Sequence, residues 1–447
     1  MESFAEHLQL LASLGPGGID RFAASIPEQW VTEALEATGT ASVRRRKLPA
    51  EQVFWLVVGM ALFKDWSIHG VAEHLRLVLP GVSSLAPSAL PQARGRLGPS
   101  PVKWLFRQVA DRWSNVGGKA AYRGLALFGI DGTTMRVQDT DANFAHFTKP
   151  SGRNGEKNDS GYPLVRIACL MNLGTRLIAN VDFGPYTKSE QELAQDLWAT
   201  IPSNSLTMLD RGFINYKNFS EFVDQERGRH LLVRIRSNIL PETIEKLSDG
   251  TSLVRMVPTR ERKKEDPDIA AELVGRLIDY QHVGGEPSRL FTSLTDPVKY
   301  PATELIALYH ERWELEIAFD ELKTHMRDRA ECLRSKTVAG VEQELWGLLL
   351  TYNLVRREML LVAAANKLPP NRISFINALI LIRNFWVCAA ILPPGNIPKH
   401  LAAVRTDLKL LTLPPRRSER RYPRHVKIKL SGYKRNRGKR APPRSEP

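Results

Sequence analysis

Two short apolar runs, each closed by an aspartate with a glycine close behind, constrain this chain more than any other feature. "GLALFGID" ends at Asp131 with Gly132 next, and "SLTMLDRGF" sets Asp210 at the end of its run with Gly212 beyond. Runs this short and this apolar read as strands buried on both faces, and the charged residue marks the sheet edge. The chain between them agrees. "YPLVRIACLM" and "TRLIANVDFG" are two more strand-like runs joined by "NLGT", a hairpin turn. "TKSEQELAQDLWATI" has helical spacing, with a capping box read at Thr187 and Glu190. "YKNFSEFVDQE" is helical and "HLLVRIR" is a further strand. The expectation is an α/β fold, a mixed sheet flanked by helices, with reactive groups gathered at strand ends.

Elsewhere the pattern changes. Residues 1–115 read as helical: "LPAEQVFWLVVGMALF" has a strong apolar face and "SIHGVAEHLRLVL" follows a short break. Two readings stay open there, a helix-turn-helix that reads DNA or a helical hairpin of the core. Residues 120–237 hold the strands just described. Residues 238–300 loosen into short strand-like pieces around a charged loop, "TRERKKEDP", and read as a β-rich insertion. Residues 301–330 restore a clear helix, residues 331–414 are apolar helices, and residues 415–447 are a basic tail. That tail holds thirteen Lys/Arg against two Glu, so +11 of the chain's net +15. It cannot bury enough apolar surface to fold alone and would neutralise phosphates. A polyanion is the expected partner.

Three dispersed cysteines with no CxxC spacing argue against a disulfide frame or a zinc site. No apolar run reaches membrane-spanning length, and the acidic start "MESFAEHLQL" lacks an export pattern. A cytoplasmic, nucleoid-associated protein is expected.

Asp131 and Asp210 on neighbouring strand ends would repel unless a cation sat between them. Mg²⁺, which takes few carboxylates plus water and phosphate, suits that setting; two ordinary turn-capping aspartates are the alternative. A third acid is sought in "YHERWELEIAFDELK". At about 100° per residue, Tyr309, Arg312, Glu316 and Lys323 share one helical face, beside an apolar stripe of Leu308, Leu315, Phe319 and Leu322. Asp320 lies near Glu316 and stays a rival. Glu314 and Glu321 project away and read as solvated charge. A salt-bridged surface helix, with Glu316 on Arg312 and Asp320 on Lys323, is the competing account.

The spacing Tyr309, Arg312, Glu316, Lys323 resembles the Tyr-Arg-Glu-Lys signature of the insertion-sequence-four family of DDE transposases. "IDGTTMRVQDTDANFAHF" is similar to that family's first-aspartate region, "LDRGF" to its second, and "PSALPQARGRLG" to part of its N-terminal domain. The resemblance implies an RNase H-like core, with Asp131, Asp210 and Glu316 as a catalytic, metal-binding triad for Mg²⁺, with Mn²⁺ as substitute. It implies DNA contacts from Tyr309, Arg312 and Lys323, an end-binding role for residues 1–115, and a dimer or higher oligomer on double-stranded DNA. The implied chemistry is cutting at the ends of a mobile element and joining them to a target. A nuclease without strand transfer and a non-catalytic DNA-binding inhibitor are the alternatives. Some relatives excise through a DNA hairpin with an aromatic wedge, yet residues 237–299 contain no Trp, with Tyr280 and Phe291 among their few aromatics.

Overall fold

The computed structural model describes residues 28–41, 48–75, 77, 86–114, 122–150, 161–223, 226–281, 287–327, 332–389 and 396–414. The basic tail and the "PSGRNGEKNDSG" loop fall largely outside these residues. Nine strands form one sheet: β1 (Ala126–Arg136), β2 (Leu164–Asn172), β3 (Ile178–Pro185), β4 (Ser205–Leu209), β5 (Arg229–Ile235), β6 (Glu242–Lys246), β7 (Ser252–Met256), β8 (Leu273–Tyr280) and β9 (Ser288–Thr292). Their order is β3-β2-β1-β4-β5-β9-β8-β7-β6. The first three pair antiparallel, β4 and β5 add in parallel, and this half is the expected RNase H-like arrangement.

Residues 238–300 do not break away from that sheet. β9 pairs antiparallel with β5, and β8, β7 and β6 continue outward, so the insertion widens the sheet at one edge. Three local expectations are corrected. β1 does not stop at Asp131 but runs on to Arg136, because β2 keeps pairing with it through that stretch. The capping box sits two residues later than read, between Ser189 and Glu192, at the start of the helix Glu190–Trp198. The charged loop "TRERKKEDP" contains a short helix, Arg260–Glu265, capped by the Thr259 side chain.

Side chains alternate across each strand, and the two faces bury different partners. Phe128, Ile130, Leu209, Leu231 and Val233 pack under the helices Glu190–Trp198 and Tyr216–Phe222. Leu127, Met135, Leu206 and Met208 face the other side, where N-terminal and C-terminal helices share one core. The helix Ala50–Leu62 lies within that core, with eleven of its thirteen residues buried. Val57 packs against Gly347 of the helix Val338–Ala365, where an added Cβ would come within 2.7 Å. The "LPAEQVFWLVVGMALF" helix is therefore core on nearly every side and leaves no face free to enter a DNA groove.

Candidate active site

The last matched pair of the parallel strands β1 and β4 is Ile130 with Leu209. Asp131 and Asp210 are the next residues of each, so they stand level on adjacent strands. By alternation both point to the face shared with Leu127 and Met208. Each takes the amide of the following residue: Gly132 N donates to Asp131 Oδ1 at 2.8 Å, and Arg211 N to Asp210 Oδ1 at 2.7 Å. At Asp210 this contact caps the 3₁₀ turn Arg211–Phe213, so the turn-capping account holds there alongside any other role.

A helical segment crosses this face: the helix Ala302–Tyr309, a 3₁₀ turn at His310–Arg312, the helix Trp313–Asp320 and a π turn at Glu321–His325. It lies close because Gly129 has no side chain; a Cβ there would sit 2.6 Å from Leu315 Cδ1. That contact is two residues from Asp131 along β1. The approach brings Arg312 between two acids. Its Nη1 donates to Asp131 Oδ2 and its Nη2 to Glu316 Oε1, both at 3.1 Å. The predicted Arg312–Glu316 pair thus exists, and it extends to the first aspartate. Tyr309 is buried and its hydroxyl donates to the Leu209 carbonyl at 3.0 Å, one residue before Asp210. Lys323 Nζ, in the π turn, donates to Thr133 Oγ1 on β1 at 3.1 Å. Asp320 is 61% exposed, with Thr324 and His325 as its close partners, while Lys323 feels its charge without its close contact.

Two acids of the same segment overturn the expectation of solvated charge. Glu314 and Glu321 are buried. Arg176, in the β2–β3 turn, pairs with both, and Glu321 also meets Arg356 and the Tyr352 hydroxyl from the helix Val338–Ala365. A buried carboxylate survives only when paired and hydrogen-bonded, and these are. Nothing local in "WELEIAFDE" announces it, since the partners come from distant segments.

Burial pushes the Asp131 carboxyl up to about 6; the Gly132 amide and Arg312 oppose this, while Glu190 and Asp210 add to it. Burial works against the Arg312 charge, yet Tyr309, Asp131, Asp210 and Glu316 around it hold its pKa above the ordinary arginine value. Lys323 is lowered, first by burial and then by Arg327. Beside Asp210 opens a cavity of about 760 Å³ whose lining includes Arg211, Arg234, Arg236, Arg289 and Tyr280. These arginines were not singled out from the sequence, although "LDRGF" and the alternation in "LVRIRS" carry three of them.

Two family models match the chain: the N-terminal region of insertion element 4 transposases over residues 16–107, and the transposase DDE domain over residues 124–354. The chain is 35% identical over 399 residues to the transposase InsG for insertion sequence element IS4 of Escherichia coli (strain K12), covering 89% of each protein. The chain belongs to the IS4 family of transposases. A solved piggyBac transposase synaptic complex with hairpin DNA matches this transposase with 14% identity and a TM-score of 0.41, over 92% of this chain and 87% of that one. Among the described residues of the transposase, no helix is long and apolar enough to cross a membrane.

Whether the site suits a divalent ion is decided by its donors. Asp131, Asp210 and Glu316 offer only carboxylate oxygens, the hard donors that Mg²⁺ and Mn²⁺ take. Among the described residues, no three acids stand together so as to hold an ion. The positive charge shared by Asp131 and Glu316 is the Arg312 guanidinium. The donor set fits the metal, and the arrangement as it stands fits an arginine.

Proposed function

We propose that this transposase binds the ends of its element, hydrolyses phosphodiester bonds there, and joins the freed 3′-hydroxyls to target DNA. Asp131, Asp210 and Glu316 would hold two divalent ions, Mg²⁺ or Mn²⁺. Bound there, such ions would activate the attacking oxygen and offset charge on the departing one. The observation that carries this reading is the convergence of Asp131 and Glu316 on one guanidinium, with Asp210 level on the neighbouring strand.

The protein's own groups supply the remainder. Gly129 admits the helix that presents Glu316, and Tyr309 ties the same helix to the carbonyl before Asp210. Lys323 reaches β1 beside the acids, where it can take a phosphate oxygen. The arginines around the cavity next to Asp210 give the DNA strand a positively charged bed. Two element ends in one synapse call for at least two copies of the chain.

The deciding experiment measures Mg²⁺-dependent cleavage and strand transfer on DNA carrying the element ends. Glu316→Gln is expected to abolish cutting with DNA binding intact, and Asp320→Asn to cut normally. Normal cutting by Glu316→Gln would remove the triad. Cutting without joining of a 3′-hydroxyl donor would leave a nuclease.

A further inference from the structure

The Arg312 fork already spends two donors on Asp131 and Glu316, at 3.1 Å each. Those carboxylates are the proposed metal ligands, and both Asp131 oxygens are already engaged, Oδ1 by the Gly132 amide and Oδ2 by Arg312, so the guanidinium competes with a divalent ion for them. With Nη1 and Nη2 both turned onto the acids, the fork cannot offer those same two donors to a DNA phosphate. Its side chain is 15% exposed, and the acids are 18% and 31% exposed, so the three groups form a half-buried cluster that solvent still reaches at Glu316. One positive charge bridges two negative ones there and offsets only part of their charge.

Resting on the triad proposed above, we infer that Arg312 is a resident counter-ion, which must leave Asp131 and Glu316 before they take divalent ions. The segment that carries it is built for such an exchange. Arg312 sits in a 3₁₀ turn between two stretches of α-helix, while Glu316 stands a turn further on in a helix held by buried ion pairs, Glu314 within it on Arg176 and Glu321 just past its end on Arg176 and Arg356. The backbone around the acids is thus tied down by buried ion pairs, and release requires only that the Arg312 side chain turn away from them. Once released, its fork can receive a phosphate beside the same site, which pairs metal loading with DNA arrival.

The test is a titration of the full-length protein with MnCl₂ alone at pH 8, reading free Mn²⁺ by electron paramagnetic resonance. Arg312→Gln, which keeps polarity and loses the charge, is expected to bind Mn²⁺ about ten-fold more tightly than the wild type, since it removes a cation adjacent to two ligands. Arg312→Lys keeps the charge but loses the planar, pre-organised fork, so it is expected to fall between them. Thermal melting of each variant confirms that it is folded. Unchanged or weaker Mn²⁺ binding in folded Arg312→Gln overturns the counter-ion role. Asp131→Asn/Arg312→Gln separates the two ideas: it is expected to lose the gained affinity. If it binds Mn²⁺ as Arg312→Gln does, the ion lies elsewhere and the triad itself fails.

Discussion

Glu321 Oε1 lies 2.9 Å from Arg176 Nη1, although 145 residues separate the two in sequence. With Glu314 on the same guanidinium and Arg356 on the other Glu321 oxygen, two acids and two bases balance inside the core. The network joins the β2–β3 turn, the Glu316 helix and the long C-terminal helix. Arg176→Met would leave both carboxylates short of a partner and is expected to cost about 3–5 kcal/mol. Equilibrium urea unfolding reads this directly, and a midpoint equal to wild type would show that the cluster contributes nothing.

Gly129 makes a second prediction. Valine there would drive methyl groups into Leu315 and push the helix off β1, at a cost of about 1–3 kcal/mol. DNA cleavage should fall further than DNA binding, because Glu316 retreats from Asp131. Gly95, inside the helix Ala89–Leu97 with open space around its Cα, is the control. Gly95→Ala should be neutral or stabilising by up to about 1 kcal/mol.

A third prediction concerns pH. Burial, its largest cause, raises the Asp131 carboxyl to about 6 from an ordinary 3.8. Between those values the folded protein binds more of this proton than the unfolded chain, so this residue's contribution to stability falls as pH rises through that window. Asp131→Asn has no such proton to lose. The difference in unfolding free energy between variant and wild type should therefore shift in the variant's favour from pH 4 to pH 7. A difference that stays flat across that range would show an unshifted carboxyl.

Tyr309→Phe distinguishes two roles for one hydroxyl. The family resemblance implies a DNA contact for Tyr309, whereas the structure engages its hydroxyl with the Leu209 carbonyl. If that bond steadies Asp210, the phenylalanine variant loses about 1 kcal/mol of stability and cuts more slowly at saturating DNA, with DNA affinity unchanged. Weaker DNA binding with an unchanged saturated rate would return the hydroxyl to the DNA.

The two aspartates were legible because their signal is local: an apolar run long enough for a buried strand, then a charge. That signal misplaced the end of β1, since strand length depends on whether a neighbour keeps pairing. β4 stops at Leu209 while β2 runs on beside β1, so one aspartate ends its strand and the other does not. The face of Glu316 followed from helical spacing, because Arg312 is only one turn away. Glu314 and Glu321 were misread for the opposite reason. Arg176 lies 138 positions from Glu314, and no window along the helix contains it. The insertion's strands were visible singly, but their union with the main sheet rests on the pairing of β5 with β9 across the whole of that segment.

The interleaving of the first and last helices sets the order in which the molecule can become itself. Thr351, whose hydroxyl donates to the Gly347 carbonyl at 2.7 Å, lies 3.5 Å from the Val58 carbonyl 293 residues away, beside the contact of Val57 with Gly347. A nascent chain that has emerged only through β5 presents Trp55 and Val57 without their C-terminal partners Trp386 and Gly347. Contacts of such high sequence separation form late and slowly. A truncated product is therefore expected to expose that apolar surface and aggregate. The fold in effect inspects its own length, since only a chain carried through the final helices hides the surface made at its start.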